Sequence, residues 1–137
     1  MGLEFHITRR ADWSQDGPEI SLDEWRDMVV ADPELEPDAT NADGYVIWKR
    51  GRNEGLLYWF NGNVDTKNPD EPLFEKMLAV AKRLGAQVQD DDGEVYRDVG
   101  SFAPERAKQT SWSRYLLVWA LIFLALTAIG AFIGWIF

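Results

Sequence analysis

Few side chains in this chain of 137 residues could carry catalysis. There is no cysteine and only one histidine, His6. Disulfides, thiolate chemistry and sites built from several histidines are therefore excluded within one chain. No phosphate-binding loop, Gly-x-Ser-x-Gly motif or glycine-rich dinucleotide motif occurs either. The sequence predicts neither an enzyme nor a cofactor, and on an outward strand face His6 is expected to be a solvated polar residue.

Acidic residues form two patterns that could be mistaken for calcium loops. Asp90, Asp92 and Glu94 alternate, but a loop beginning at Asp90 needs glycine at position 95, where Val95 stands. The segment 61–66 fails in the same way. Pairs of neighbouring carboxylates could do acid–base work, but they arise by chance among the 22 acidic side chains of residues 1–100. Both segments are predicted to be hairpin turns, and no metal site is predicted.

Charge divides the chain into three parts. Residues 1–100 hold 11 basic and 22 acidic side chains, a net charge of −11. Residues 101–114 hold three basic side chains against one acidic, and residues 115–137 hold no charge. The basic cluster at 49–52 lies within this acidic background, so nucleic-acid binding is disfavoured. We predict an acidic domain over 1–100, a basic neck over 101–114 and an apolar tail over 115–137.

The apolar tail has the length of a transmembrane helix. As a helix, these 23 residues would rise about 34 Å, and a hydrocarbon core is about 30 Å thick. Basic residues before the tail are expected to stay on the cytoplasmic side. We predict a single-pass, tail-anchored protein of the inner membrane, with its amino-terminal domain in the cytoplasm. The expected interface anchors are Trp112, Arg114, Tyr115, Trp119 and Trp135.

Small residues in the tail predict a second property. Gly130 and Gly134 form a Gly-x-x-x-Gly motif, which allows two membrane helices to approach closely. A weak homodimer through the tail is therefore expected.

Capping and periodicity signals predict the first elements of the domain. Residues 3–8 alternate apolar and polar side chains, as in a half-buried strand. Ser21 is followed three residues later by Glu24, a capping box that predicts a helix over residues 20–30. Residues 31–43 contain two prolines and are predicted to be an acidic loop.

The middle of the domain is predicted to form antiparallel strands. Strand-forming residues predict strands over 45–49 and 56–60. Asn61-Gly62 is the strongest short hairpin signal, because both residues accept a positive φ. A two-residue turn there pairs Phe60 with Asn63, so the next strand is antiparallel to the previous one.

A second helix and two short strands complete the domain. Asp70 or Asn68 is expected to cap the helix, which Gly85 ends. Strands are predicted over 86–89 and 94–99. The order β-α-β-β-β-α-β-β predicts an α+β fold, with a mainly antiparallel sheet and two helices, followed by a single C-terminal transmembrane helix.

Several short motifs are spread over most of residues 1–100. They are Phe5-His6-Ile7-Thr8-Arg9, Ile20-Ser21 with Glu24-Trp25, Asp32-Pro33-Glu34-Leu35, Lys67-Asn68-Pro69-Asp70, and Leu84-Gly85-Ala86-Gln87-Val88-Gln89 with Asp91-Asp92-Gly93-Glu94 and Tyr96. This set resembles a family of small uncharacterised bacterial proteins, most of which lack a membrane tail. The resemblance implies one bacterial domain and adds no catalytic residue.

Aromatic residues remain as the functional signal. The domain has more aromatic side chains than a small core usually buries, and the candidates for exposure are Trp13, Trp48, Tyr58 and Phe60. Aromatic patches rimmed by charge are typical of protein-binding sites. We predict a membrane-tethered module that binds a protein partner. Bacterial immunity proteins against toxins are similar in being small, acidic and single-domain. The alternatives are a structural subunit of a membrane complex and an enzyme of unknown class.

Overall fold

The computed structural model describes residues 3–101, together with residues 120 and 122. The chain separates into two units, Met1–Phe102 and Ala103–Phe137, and the described strands and helices lie in the first. Among the described residues, no helix is long and apolar enough to cross a bilayer. The predicted transmembrane helix, its Gly-x-x-x-Gly motif and its interface anchors lie outside the described residues, except for Ala120 and Ile122.

A seven-stranded sheet forms the centre of the domain. Its spatial order is β2-β3-β4-β5-β1-β6-β7, and every neighbouring pair is antiparallel. The first strand in sequence therefore lies inside the sheet, between β5 and β6. The strands are β1 (Glu4–Thr8), β2 (Leu35–Pro37), β3 (Tyr45–Arg50), β4 (Asn53–Phe60), β5 (Asn63–Lys67), β6 (Gln87–Asp90) and β7 (Val95–Tyr96).

Two helices with capped ends lie between the strands in sequence. Helix α1 (Leu22–Ala31) begins after Ser21, whose hydroxyl accepts a hydrogen bond from the backbone N–H of Glu24. Helix α2 (Glu71–Arg83) begins after Asp70, whose carboxylate accepts from the N–H of Leu73. Of the two predicted caps for α2, Asp70 is therefore the one used.

Both helices contribute to a single hydrophobic core. Side chains that alternate along β1, β3, β4 and β5 point to this side of the sheet, as the period of a strand requires. The α+β architecture with two helices on a mainly antiparallel sheet is thus confirmed for the described domain. The largest fully buried apolar side chains of the core are Trp25, Trp48, Phe5, Phe74, Ile7, Ile20, Leu57 and Met77.

The Asn61-Gly62 hairpin has the predicted register. Phe60 pairs with Asn63, and Trp59 with Val64. Both turn residues have positive φ, 50° at Asn61 and 81° at Gly62, as a type I′ turn demands.

The prediction that residues 31–43 form only a loop was wrong. Leu35–Pro37 forms a short strand, β2, which pairs with β3 at the edge of the sheet. Proline is tolerated at such an edge because its missing N–H need not join the ladder. The connection between the predicted strands 45–49 and 56–60 is also shorter, since β3 extends to Arg50 and β4 begins at Asn53. The observed order therefore contains one strand more than predicted.

Candidate functional site

The face of the sheet opposite the helices carries a continuous row of polar side chains. Register places Tyr45 beside Tyr58, Tyr58 beside Asp65, Asp65 beside His6, and His6 beside Gln89. These five residues belong to five different strands, β3, β4, β5, β1 and β6. Directly paired side chains on one face lie about 4.5–5.5 Å apart at Cβ, so each contacts the next.

A loop over residues 9–19 covers the β5–β1–β6 half of this face. The backbone N–H of Trp13 donates to the side-chain oxygen of Gln89 at 3.0 Å, and the Gln89 amide donates to the carbonyl of Ala11 at 3.0 Å. The Asn63 amide donates to the carbonyl of Trp13 at 3.1 Å, and a guanidinium N–H of Arg10 donates to the carbonyl of Asn61 at 2.8 Å. This covering loop explains why polar residues on an outward face are buried.

His6 lies beneath the covering loop and is only 1% exposed. Its Nδ1 is 2.8 Å from a carboxylate oxygen of Asp65, and its Nε2 is 3.0 Å from one of Asp91. The Trp13 ring stacks on the imidazole, with centroids 3.6 Å apart and planes at 9°. Burial alone would favour the neutral imidazole, but the two carboxylates outweigh it and raise the pKa of His6.

Glu4 and Tyr58 extend this cluster along the same face. The Tyr58 hydroxyl donates to the Glu4 carboxylate at 2.6 Å, and the backbone N–H of Glu4 donates to Asp91 at 3.2 Å. Burial, followed by the hydrogen bond to Glu4, raises the pKa of Tyr58. Glu4, His6, Asp65, Asp91 and Trp13 are called the His6 cluster below.

Both nitrogens of His6 are engaged and its ring face is covered. Neither nitrogen can therefore accept a proton from a substrate unless the cluster opens. Three side chains of the His6 cluster could hold a metal, because ligand atoms of Glu4, His6 and Asp91 all lie within 4.8 Å of one another.

The other half of this face, on β3 and β4, is free of the covering loop and partly exposed. Phe60 is 66% exposed and Leu56 is 38% exposed, while Tyr45, Ile47 and Tyr58 are half-buried. The two tyrosine rings stack with centroids 5.3 Å apart. We call these five residues the open patch.

A groove of about 380 Å³ borders the open patch at one end. It runs past Leu56 and Tyr58 toward Lys67, Asn68 and the start of α2 at Leu73. The exposed apolar surface therefore continues into a concave region with charged and amide groups at its edge.

The four predicted partner-binding aromatics have different environments. Phe60 is exposed as predicted, and Tyr58 is half-buried with its ring edge in the open patch. Trp13 is half-buried, because it lies over His6. Trp48 is 0% exposed and belongs to the core, so its prediction as a surface residue was wrong. It alternates with Tyr45 and Ile47 along β3 and therefore points to the helices.

His6 is the residue that sequence reasoning missed. It was expected to be solvated, and that expectation was wrong because residues 9–19 fold over its strand. His6 pairs with two carboxylates, those of Asp65 and Asp91, which lie 59 and 85 residues away in the sequence. No local pattern in the sequence reports such pairings.

The predicted tail features lie outside the described residues. They are the pairing motif Gly130 and Gly134 and the interface anchors Trp112, Arg114, Tyr115, Trp119 and Trp135. Comparison with family models, curated proteins and solved structures found no match to this chain. Function is therefore inferred from the residues of the site itself.

Proposed function

We propose that this chain is a tail-anchored membrane protein whose acidic domain binds a protein partner through the open patch. The observation that carries the proposal is the exposure of Phe60 and Leu56 beside two half-buried tyrosines on a rigid sheet. Aromatic side chains give large contact area for little loss of conformational freedom, and they dominate the energetics of interfaces.

The position of Phe60 supports its role as an anchor. It is the last residue of β4, directly before the tight Asn61-Gly62 turn. The turn is fixed on both sides, since Arg10 donates to the Asn61 carbonyl at 2.8 Å and Ile20 donates to the Gly62 carbonyl at 2.9 Å. The ring is thus presented by a backbone that has little freedom left to lose on binding.

The charge of the domain supports a particular kind of partner. With a net charge of −11 over residues 1–100, the domain attracts basic proteins from a distance and repels acidic ones. A small acidic domain of this kind is similar in character to bacterial immunity proteins, an analogy of composition. We therefore propose an immunity-like binding module with a basic partner.

The apolar tail supports a proposal about where in the cell this binding takes place. Residues 115–137 are uncharged and follow a basic neck, which favours insertion in the inner membrane with the domain in the cytoplasm. Tethering raises the local concentration of the domain for a partner at the same membrane, without any new contact.

Site-specific photocrosslinking tests the proposal. A photoreactive phenylalanine analogue replaces Phe60 in the full chain, and cells are irradiated intact. We expect one discrete adduct, and we expect it to disappear when Leu56→Asp is added. The matched control carries the same analogue in place of Val30, which is 86% exposed on α1, on the helix side of the sheet. No adduct from position 60, or the same adduct from position 30, contradicts the proposal.

The identity of the adduct separates the alternatives. An integral membrane protein recovered in fixed proportion with the chain would indicate a structural subunit of a membrane complex. A peripheral or soluble basic protein agrees with a binding module. The enzyme alternative predicts turnover that the Phe60 substitution alone would not remove.

A further inference from the structure

We propose that Glu4, His6 and Asp91 form a binding site for a divalent transition-metal ion of the Zn²⁺ type. One imidazole nitrogen and two carboxylate oxygens converge there, with all three ligand atoms within 4.8 Å of one another. Imidazole and carboxylate are ligands that Zn²⁺ takes at about 2.0–2.2 Å. The site differs from the proposed partner-binding surface on β3 and β4, and Tyr58 of the open patch is linked to it through the hydrogen bond that its hydroxyl donates to Glu4.

The imidazole of His6 is oriented as a metal ligand is. Its Nδ1 is 2.8 Å from Asp65, whose side chain is only 8% exposed. A carboxylate on one ring nitrogen fixes the tautomer that leaves the other nitrogen available, which is the usual outer arrangement around a metal-bound histidine. The Trp13 ring, parallel to the imidazole at 9°, holds the plane so that Nε2 points toward Asp91.

The two carboxylates are also held in place. Tyr58 donates to one oxygen of Glu4, and the backbone N–H of Glu4 donates to Oδ2 of Asp91, which leaves Oδ1 facing His6 Nε2 at 3.0 Å. At the tetrahedral angle, two ligand atoms about 2.1 Å from one ion are about 3.4 Å apart, so a pair separated by 4.8 Å needs to close by about 1.4 Å. Nε2 of His6 and Oδ1 of Asp91 already lie 3.0 Å apart, so the movement required is mainly that of the Glu4 carboxylate.

The ligand set favours a particular class of ion. A nitrogen ligand disfavours Mg²⁺ and Ca²⁺, which take oxygen ligands, and favours Zn²⁺ and its neighbours in the first transition row. Three protein ligands leave a fourth position for water, and Asp91, whose side chain is 39% exposed, gives the ion access from solvent. The ion replaces the Nε2 proton and neutralises the two carboxylates that face it.

Sequence reasoning did not predict this site, because one histidine cannot build a multi-histidine centre. A mixed site needs only one histidine, provided that the fold brings carboxylates to it. Here the fold supplies Glu4 from the same strand and Asp91 from the β6–β7 turn. A bound ion would fasten that turn to β1.

Zn²⁺ titration of the full chain, kept in mild detergent and first stripped with a chelator, tests the proposal. His6 is the only histidine, so its imidazole ¹⁵N resonances are assigned without ambiguity. We expect Zn²⁺ to shift the Nε2 resonance and saturating Zn²⁺ to raise Tm by at least about 4 °C, because a ligand that binds only the folded state stabilises it. Mg²⁺ at the same concentration should do neither.

Two variants and a control make the test specific. Asp91→Asn and Glu4→Gln should each weaken Zn²⁺ binding at least tenfold, and the second serves if the first fails to fold. Asp92→Asn, at the exposed neighbouring position of the same turn, should bind as the unaltered chain does. An unchanged Nε2 resonance in millimolar Zn²⁺, or undiminished binding by the two ligand variants, would overturn the proposal.

Discussion

At the scale of single residues, two aromatics on paired strands have opposite roles. Trp48 on β3 lies in the core, whereas Phe60 on β4 is 66% exposed. The difference follows from alternation, because successive side chains of a strand point to opposite faces. An aromatic residue in a strand is therefore a candidate for binding only when its face is known.

The first prediction compares these two rings. Trp48→Ala should lower the free energy of unfolding by about 3–5 kcal/mol, as for a buried aromatic replaced by alanine. Phe60→Ala should change it by less than about 0.5 kcal/mol, because an exposed side chain has few contacts to lose. Urea denaturation of both variants measures the two values. A loss of several kcal/mol at Phe60 would mean that the ring is core, and the open patch would not be a binding surface.

Residue-level prediction from sequence succeeded where the cause is local. The exposure of Phe60 was predictable from its place beside the Asn61-Gly62 turn. The cap Ser21 was recognised from its sequence position, and the cap of α2 was narrowed to Asp70 or Asn68. The burial of His6 was not predictable, because it depends on a covering loop and on carboxylates 59 and 85 residues away.

At the scale of elements, a network of charges joins α2 to the segment before β2. The ammonium of Lys76 lies 2.7 Å from Asp32 and 2.8 Å from Glu34. Arg50 on β3 adds a bond to Glu34 at 2.8 Å, and Arg83 adds one to Asp32 at 3.0 Å. Hydrogen bonds from Arg50 and then Lys76 lower the pKa of Glu34 to about 2. The short strand β2 is thus held at the sheet edge by ion pairs as well as by its ladder.

The second prediction is an acid transition that depends on this network. A carboxylate with a lowered folded-state pKa stabilises the fold above its unfolded pKa and loses that effect as the pH falls. For Glu34 the loss should occur between about pH 4.5 and about pH 2. Unfolding free energies measured from pH 6 to pH 2 should fall less steeply in Glu34→Gln. Glu54→Gln, at an exposed glutamate on β4, is the control and should follow the unaltered curve. Identical curves for all three proteins would contradict the prediction.

The third prediction concerns the turn between β4 and β5. Gly62 has a φ of +81°, and a Cβ there would lie 2.8 Å from the Cβ of Glu19. Gly51, with a φ of +60°, has nothing within 4 Å of such an atom. Gly51→Ala should therefore cost only about 1–2 kcal/mol for the left-handed backbone. Gly62→Ala should cost clearly more, because it also displaces the covering loop.

Urea midpoints of the two alanine variants decide this prediction. Equal midpoints would show that the covering loop moves away at Glu19 without any loss of stability. A lower midpoint for Gly62→Ala would agree with a loop held against the turn.

Element boundaries were predictable to within a few residues where capping or turn chemistry marks them. Helix α2 was expected to end before Gly85 and does so, with a φ of +61° at that glycine. Strand β2 was missed because its three residues lie among prolines and acids, and only pairing with β3 makes them a strand. The charge network was missed for the same reason, since Lys76 looks like an ordinary helix-surface lysine in sequence.

At the scale of the whole molecule, composition predicts a folded domain over residues 1–100 and a separate membrane anchor in the apolar tail. The described part contains a hydrophobic core, both α-helices and the seven-stranded sheet. The free energy of unfolding of this domain should therefore depend on contacts within the domain and not on the tail.

The fourth prediction separates these two parts. The full chain should sediment with membranes and resist carbonate extraction, because the uncharged 23 residues at its end favour a bilayer. A chain ending at Gly100 should be soluble and should keep a cooperative thermal transition. Circular dichroism and membrane fractionation measure these outcomes. Extraction of the full chain by carbonate would contradict the predicted anchor, and an unfolded shortened chain would show that the tail is needed for folding.

The interior position of β1 has a consequence for the order in which this domain assembles. Its two neighbours in the sheet, β5 and β6, begin 59 and 83 residues after Glu4. During synthesis the leading segment has no strand partner until β5 has been made, while the hairpins of β3, β4 and β5 can pair locally. The sheet is complete only when Phe5 is paired with both Thr66 and Asp90. A nascent chain stalled before residue 87 would expose one side of β1, and such an unpaired edge is a template for pairing with a strand of another chain.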